Sequence, residues 1–196
     1  MTGITFNPQA TSNAAGLFNT NSNGFTQGDA QDDPAVKFAL VGGILDAGAS
    51  APIWGGLPIS ESIPAAGKPV LGSTIDLATT HANITGWSVF NQAFQGITTP
   101  QSNAPTYQPG QSVNFYRVGS GARIPLPIDP ALVSLDGGLI TQQVSWDFTA
   151  QQIIAYDGTH VLPVKILQVS TANNLRVSYS GGNANFVSGA LALCVI

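Results

Sequence analysis

The chain has 196 residues, of which only 8% are charged, and a formal net charge of −4. That length supports one sizeable core, and the six basic residues, Lys37, Lys68, Arg117, Arg123, Lys165 and Arg176, are too few and too scattered for the counterion-releasing contacts by which proteins hold nucleic acid non-specifically. An ordinary globular chain is roughly a quarter charged.

Here Ser, Thr, Asn, Gln and Gly fill the gap. Helical surfaces stay wet through Glu and Lys, whereas sheets joined by many turns use Thr, Ser, Asn and Gly, so an all-β fold is expected. The 22 Gly and 13 Pro follow no three-residue period, which points to numerous loops and away from collagen. The form expected is an antiparallel β-sandwich or a jelly-roll-like barrel, with long loops and an extended N-terminal arm. No apolar run approaches the roughly 20 residues of a membrane span. The first residues carry neither a basic start nor an apolar stretch of signal-peptide length, so synthesis and folding in a cytosol are expected.

Residues 1–32 are polar, with isolated aromatics at Phe6, Phe18 and Phe25. They carry too little apolar surface to offset the entropy of ordering on their own. An arm lying on a partner, each phenylalanine in a pocket, is one reading; a loose terminus is the plainer one. From residue 33 to 196 a single β domain is expected, with a possible subdomain break near 96–112, the most loop-like interior stretch.

Asp32-Asp33-Pro34 could cap a helix. The alternation of Val36, Phe38 and Leu40 with Lys37 and Ala39 favours a strand that Gly42-Gly43 ends early. The Asp pair suits a turn better than a metal, because no further ligands stand nearby. Trp54-Gly55-Gly56 opens an irregular segment that tucks its tryptophan against the sheet. Strand candidates follow at 73–78, 87–94 and 113–118. Pro125 and Pro127 cannot donate to a ladder, which assigns 122–128 to a sheet edge or outside the sheet. From 138 onward apolar and polar residues alternate with period two, as in Val144, Trp146 and Phe148, and predict an antiparallel meander. Its closing run, 190–196, reads as a strand covered on both faces. Cys194 lies in that run and reads as a buried thiol.

Chemistry is hard to find in this sequence. Gly119-Ser120-Gly121 lacks the spacing of a nucleophile elbow. His81 and His160 read as solvated loop residues outside any metal-ligand pattern, and there is no Walker loop or dinucleotide fingerprint. No catalytic residue, metal or cofactor is expected. Trp54, Trp87 and Trp146 could build a sugar-stacking platform, which leaves a carbohydrate-binding β-sandwich as one alternative, but a tryptophan beside a strand is more often core. Asn83-Ile84-Thr85 matches a glycosylation acceptor by chance spacing.

Four segments, 33–43 (DPAVKFALVGG), 54–61 (WGGLPISE), 112–123 (SVNFYRVGSGAR) and 144–148 (VSWDF), together with the short apolar ending, resemble virion structural proteins of tailed bacteriophages, the capsid cement or decoration group. The resemblance implies a non-enzymatic protein on the capsid exterior, made in the bacterial host cytoplasm. It would bind where major capsid protein subunits meet and associate with itself, as a homotrimer rather than a dimer. No membrane partner and no direct nucleic-acid contact are implied. The family supplies no binding motif to transfer, so Phe6, Phe18, Phe25 and Trp54 stand as capsid-contact candidates from their spacing and type alone. A tail or baseplate component of the same virion is the nearest alternative.

Overall fold

The computed structural model describes residues 24–30, 34–64, 72–90 and 102–196. Strands β1 (Leu40–Leu45), β2 (Pro58–Ser62), β3 (Ser73–Leu77), β4 (Gly86–Ser88) and β5 (Ser112–Arg117) close into a barrel in the order β1-β3-β2-β4-β5. All its pairings are antiparallel except β1 with β3. Behind it lie a three-stranded sheet of β6 (Arg123–Pro127), β12 (Leu191–Val195) and β9 (Lys165–Ser170), and two hairpins. These are β7 (Val144–Asp147) with β8 (Gln152–Ala155), and β10 (Leu175–Ser180) with β11 (Asn183–Ser188). The fold is all-β, as the composition requires.

Two apolar clusters hold the layers together. Leu45, Leu57, Ile59, Ile75, Val113 and Phe115 fill the barrel. Trp87 and Tyr116, from β4 and β5, join Ile124, Leu126, Val144, Trp146, Ile153 and Cys194 in the second cluster. Consecutive residues of β5 thus serve different cores, because successive side chains leave a strand on opposite faces. Burying an aromatic of this size stabilises by about 1.5–3 kcal/mol, so neither face can be conceded to solvent.

The expected strand from Val36 through Leu40 is not found. Pro34–Lys37 is a single helical turn, consistent with proline at its first position. Phe38 lies 94% exposed with no sheet beneath it. The strand starts at Leu40 and runs through both glycines to Leu45. Gly43 permits the close parallel approach of β3, since a Cβ there would come within 2.4 Å of Ile75 Cγ1. The strand expected over 87–94 is the three-residue β4, and residues 91–94 fall outside the described residues.

The last third is not one meander. It divides into two hairpins and a sheet in which β12 lies between β9 and β6. β6, with Pro125 and Pro127, forms the edge, where missing N–H groups do least harm. Cys194 is buried in the centre of that sheet, and burial pushes its thiol pKa up.

Residues 24–30, placed with the arm from sequence, are knit into the body. Thr26 bridges Leu175 in parallel, and Gly28 N–H donates to the Pro125 carbonyl. The buried Gln27 amide donates to Gly55 O at 3.1 Å and accepts from Val177 N at 2.9 Å. Residues 96–101 of the proposed break at 96–112 fall outside the described residues. Residues in the rest of that stretch tie parts together: the Tyr107 hydroxyl donates to Val89 O, and Ser102 Oγ accepts from Ala184 N.

Replacing Gln27 with Ala strands a buried N–H and a buried carbonyl, and is expected to lower stability by about 1–3 kcal/mol. Chemical denaturation of the parent and variant checks this, and an unchanged midpoint would show that the Gln27 side-chain bonds contribute nothing to stability.

Candidate functional site

The barrel has one rim that the sequence did not disclose. β1, β3 and β4 begin there, and β2 and β5 end there, because β1 and β3 run parallel and every other neighbour is reversed. Phe38, just before β1, and Ile63, just after β2, therefore emerge at the same end, and each is 94% exposed. Burial of each would be worth about 1.5–3 kcal/mol that the isolated chain forgoes.

Between them Glu61 and Arg117 make a two-pronged ion pair across β4, with Arg117 Nε to Glu61 Oε2 at 2.8 Å and Nη2 to Oε1 at 2.6 Å. The Ser73 hydroxyl donates to the same carboxylate. The Arg117 hydrogen bond holds the Glu61 carboxyl below the ordinary range, against the opposing effect of burial. Beside the rim, Val118, Leu162, Pro163, Val164 and Ile196 line a largely aliphatic depression of about 450 Å³.

The contact candidates taken from sequence do not converge. Phe6 and Phe18 lie outside the described residues, and Phe25 is half-buried beside Asn174, whose side-chain oxygen accepts from its N–H. Trp54 is 7% exposed, in the barrel cluster, stacked on Tyr179 with ring centroids 5.2 Å apart. Trp87 and Trp146 are fully buried against each other. No tryptophan offers an open face to solvent, so the three do not form the sugar platform considered from sequence.

The two histidines, read as independent loop residues, are instead partners. Their rings stack at 4.5 Å with planes 7° apart. His81 comes from a 3-10 turn, His81–Asn83, and its Nε2 accepts from Trp146 N at 3.2 Å, while the Phe148 ring meets it edge-on. His160 Nδ1 pairs with Asp157 Oδ2 at 2.9 Å, and Asp157 Oδ1 also caps the backbone N–H groups of Thr159 and His160. Desolvation, then the neighbouring His160, lower the His81 pKa, and Asp157 opposes them. Hydrogen bonds from the His160 backbone and ring, then from the Thr159 backbone, lower that of Asp157. Parallel rings cannot direct two lone pairs at one ion. Among the described residues no group of three or more His, Cys, Asp or Glu is placed to hold a metal. Nothing in the spacing of residues 81 and 160 announces the pair.

Because His81 is harder to protonate folded than unfolded, the unfolded chain takes up more protons near its ordinary value of 6.5. The stabilisation from neutral His81 is complete above pH 6.5 and is lost as pH falls below it. The corresponding loss from Asp157 begins only below its ordinary value of 3.8. A fall in melting temperature between pH 6.5 and 5 is therefore expected, and it should shrink in a His81→Gln variant, whose amide oxygen can accept from Trp146 without titrating. Equal slopes for parent and variant would count against the pair as the cause.

No helix among the described residues is long and apolar enough to cross a membrane. Searches with the whole chain found no matching family model, no matching curated protein and no matching solved structure.

Proposed function

We propose that the chain is a non-enzymatic structural protein of a tailed-phage virion. In this reading it decorates the outside of the capsid as a homo-oligomer, a trimer before a dimer, at junctions between major capsid protein subunits. The observation that carries it is the barrel rim. Two large apolar side chains stand almost wholly in solvent at one end of the barrel, flanking a charge pair that is already neutralised. Isolated exposed apolar residues are ordinary, but two at one rim beside an aliphatic depression describe a surface suited to docking. The scarcity of charge elsewhere fits a protein whose contacts are apolar at the centre and hydrogen-bonded around it. Residues 1–23 add a second attachment in this reading, and in an oligomer each attached arm raises the local concentration of the others.

Gel densitometry and negative-stain imaging of purified particles should find many copies, all on the head. Few copies confined to the tail would replace this reading with a tail component. Phe38→Ser combined with Ile63→Ser should leave the melting temperature unchanged and reduce capsid occupancy at least about tenfold, since the two side chains together offer about 3–6 kcal/mol of burial. Undiminished occupancy would remove the rim from the proposal. Separately, removal of residues 1–23 should lower occupancy while circular dichroism shows the fold intact.

A further inference from the structure

On the side of the molecule where β10 and β11 meet the β7–β8 turn lies a groove of about 530 Å³, lined by Gln27, Trp54, Gln151, Arg176, Tyr179 and neighbouring residues. Its size falls in the range of sites for small ligands. Three observations at this groove point to a ligand.

Arg176 is half-buried, and burial lowers its pKa. Its guanidinium donates to Gln152 Oε1 at 2.9 Å and to the Ala150 carbonyl at 3.0 Å, but among the described residues no carboxylate lies within ion-pair distance. Half-buried and bonded only to neutral acceptors, this guanidinium is placed to take an anion from solution. Gln151 holds φ at 52° as the residue that closes the β7–β8 turn, and its side chain lines the groove. Its Oε1 is buried without a donor. Trp54, 93% buried, has an indole N–H with no acceptor. The indole N–H groups of Trp87 and Trp146 are unpaired too, in the core, but at this groove an unpaired donor and an unpaired acceptor belong to side chains of one lining.

We infer that this groove binds a carboxylated saccharide. The carboxylate answers Arg176, whose remaining N–H groups can engage two oxygens. Sugar hydroxyls both donate and accept, which suits a lining that holds an unpaired acceptor, on Gln151, and an unpaired donor, on Trp54. Tyr179, backed by Trp54 and 38% exposed, supplies an aromatic surface for the apolar face of a pyranose ring. Thr149, Ser178 and Ser188 add hydroxyls along the lining. A neutral sugar would leave Arg176 uncompensated, and a simple carboxylate would leave the aromatic surface and the hydroxyls unused. This site is separate from the barrel rim, so its fate does not bear on the capsid reading.

Titration of the full chain with glucuronate, followed by calorimetry and by tryptophan fluorescence, tests the assignment against glucose and acetate as controls. Glucuronate is expected to bind at least about tenfold more tightly than either control, because only it meets both the cation and the aromatic surface. Arg176→Gln should remove that preference. Tyr179→Ala, at an exposed position that does not threaten folding, should weaken glucuronate and leave acetate unchanged. Equal affinity for glucuronate and glucose, or no heat and no fluorescence change with glucuronate, overturns the proposal.

Discussion

The structure depends on the wall that the barrel shares with the sheets behind it, and at the centre of that wall Trp87 meets Trp146 edge-to-face, 4.9 Å apart and 73° inclined. Trp87 belongs to the shortest barrel strand and Trp146 to the β7–β8 hairpin, so neither unit can bury its aromatic alone. A three-residue strand has too few ladder bonds to stand by itself. It persists because β2 and β5 flank it and because its outward face is sealed by the hairpin. The His81 ring, which accepts from the backbone N–H of Trp146, closes the same joint from its rim. The pH sensitivity assigned to that histidine is thus a sensitivity of the seam between layers.

Much of the strand content was legible in the sequence, and the reason is local. Val144, Trp146 and the run 190–196 declare their strands through alternation and lack of charge, and Pro125 with Pro127 declares an edge through chemistry that no tertiary context can alter. What was misread depended on distant partners. Gly42-Gly43 looks like a stop until β3 is brought alongside, when the absence of Cβ becomes the condition for the parallel pairing of Gly43 with Ser73. Gln27 looks like part of a polar arm until Gly55 and Val177 present a carbonyl and an N–H on either side of it.

The same limit applied to the sites. His81 and His160 are brought together by the β7–β8 hairpin and the loop after it, and each alone has the setting of a solvated turn residue. Trp54 was named from sequence as a contact candidate by residue type, although the irregular, glycine-rich segment around it was read as tucking the ring against the sheet, and the structure buries it. Those glycines let backbones approach closely: Gly28 and Gly55 pack so tightly that a Cβ on Gly28 would lie 2.2 Å from the Gly55 carbonyl carbon. The irregular segment is therefore drawn inward and carries the tryptophan with it. Exposure passes instead to Phe38, which alternation placed in a strand, and to Ile63, which lies in the segment read as irregular.

Low charge gives the rim its character. A surface that must shed water to dock loses least when it carries few ions and when those it carries are already paired. Glu61 and Arg117 meet through two hydrogen bonds, with Ser73 completing the carboxylate, so the rim presents a nearly neutral pair between two apolar side chains. Separated, the same residues would each demand a counter-charge on the partner and would tie docking to the partner's sequence. Paired across β4, they leave shape and apolar area to determine what fits. The capsid lattice of the proposed function would be that kind of partner, since every copy presents the same contour.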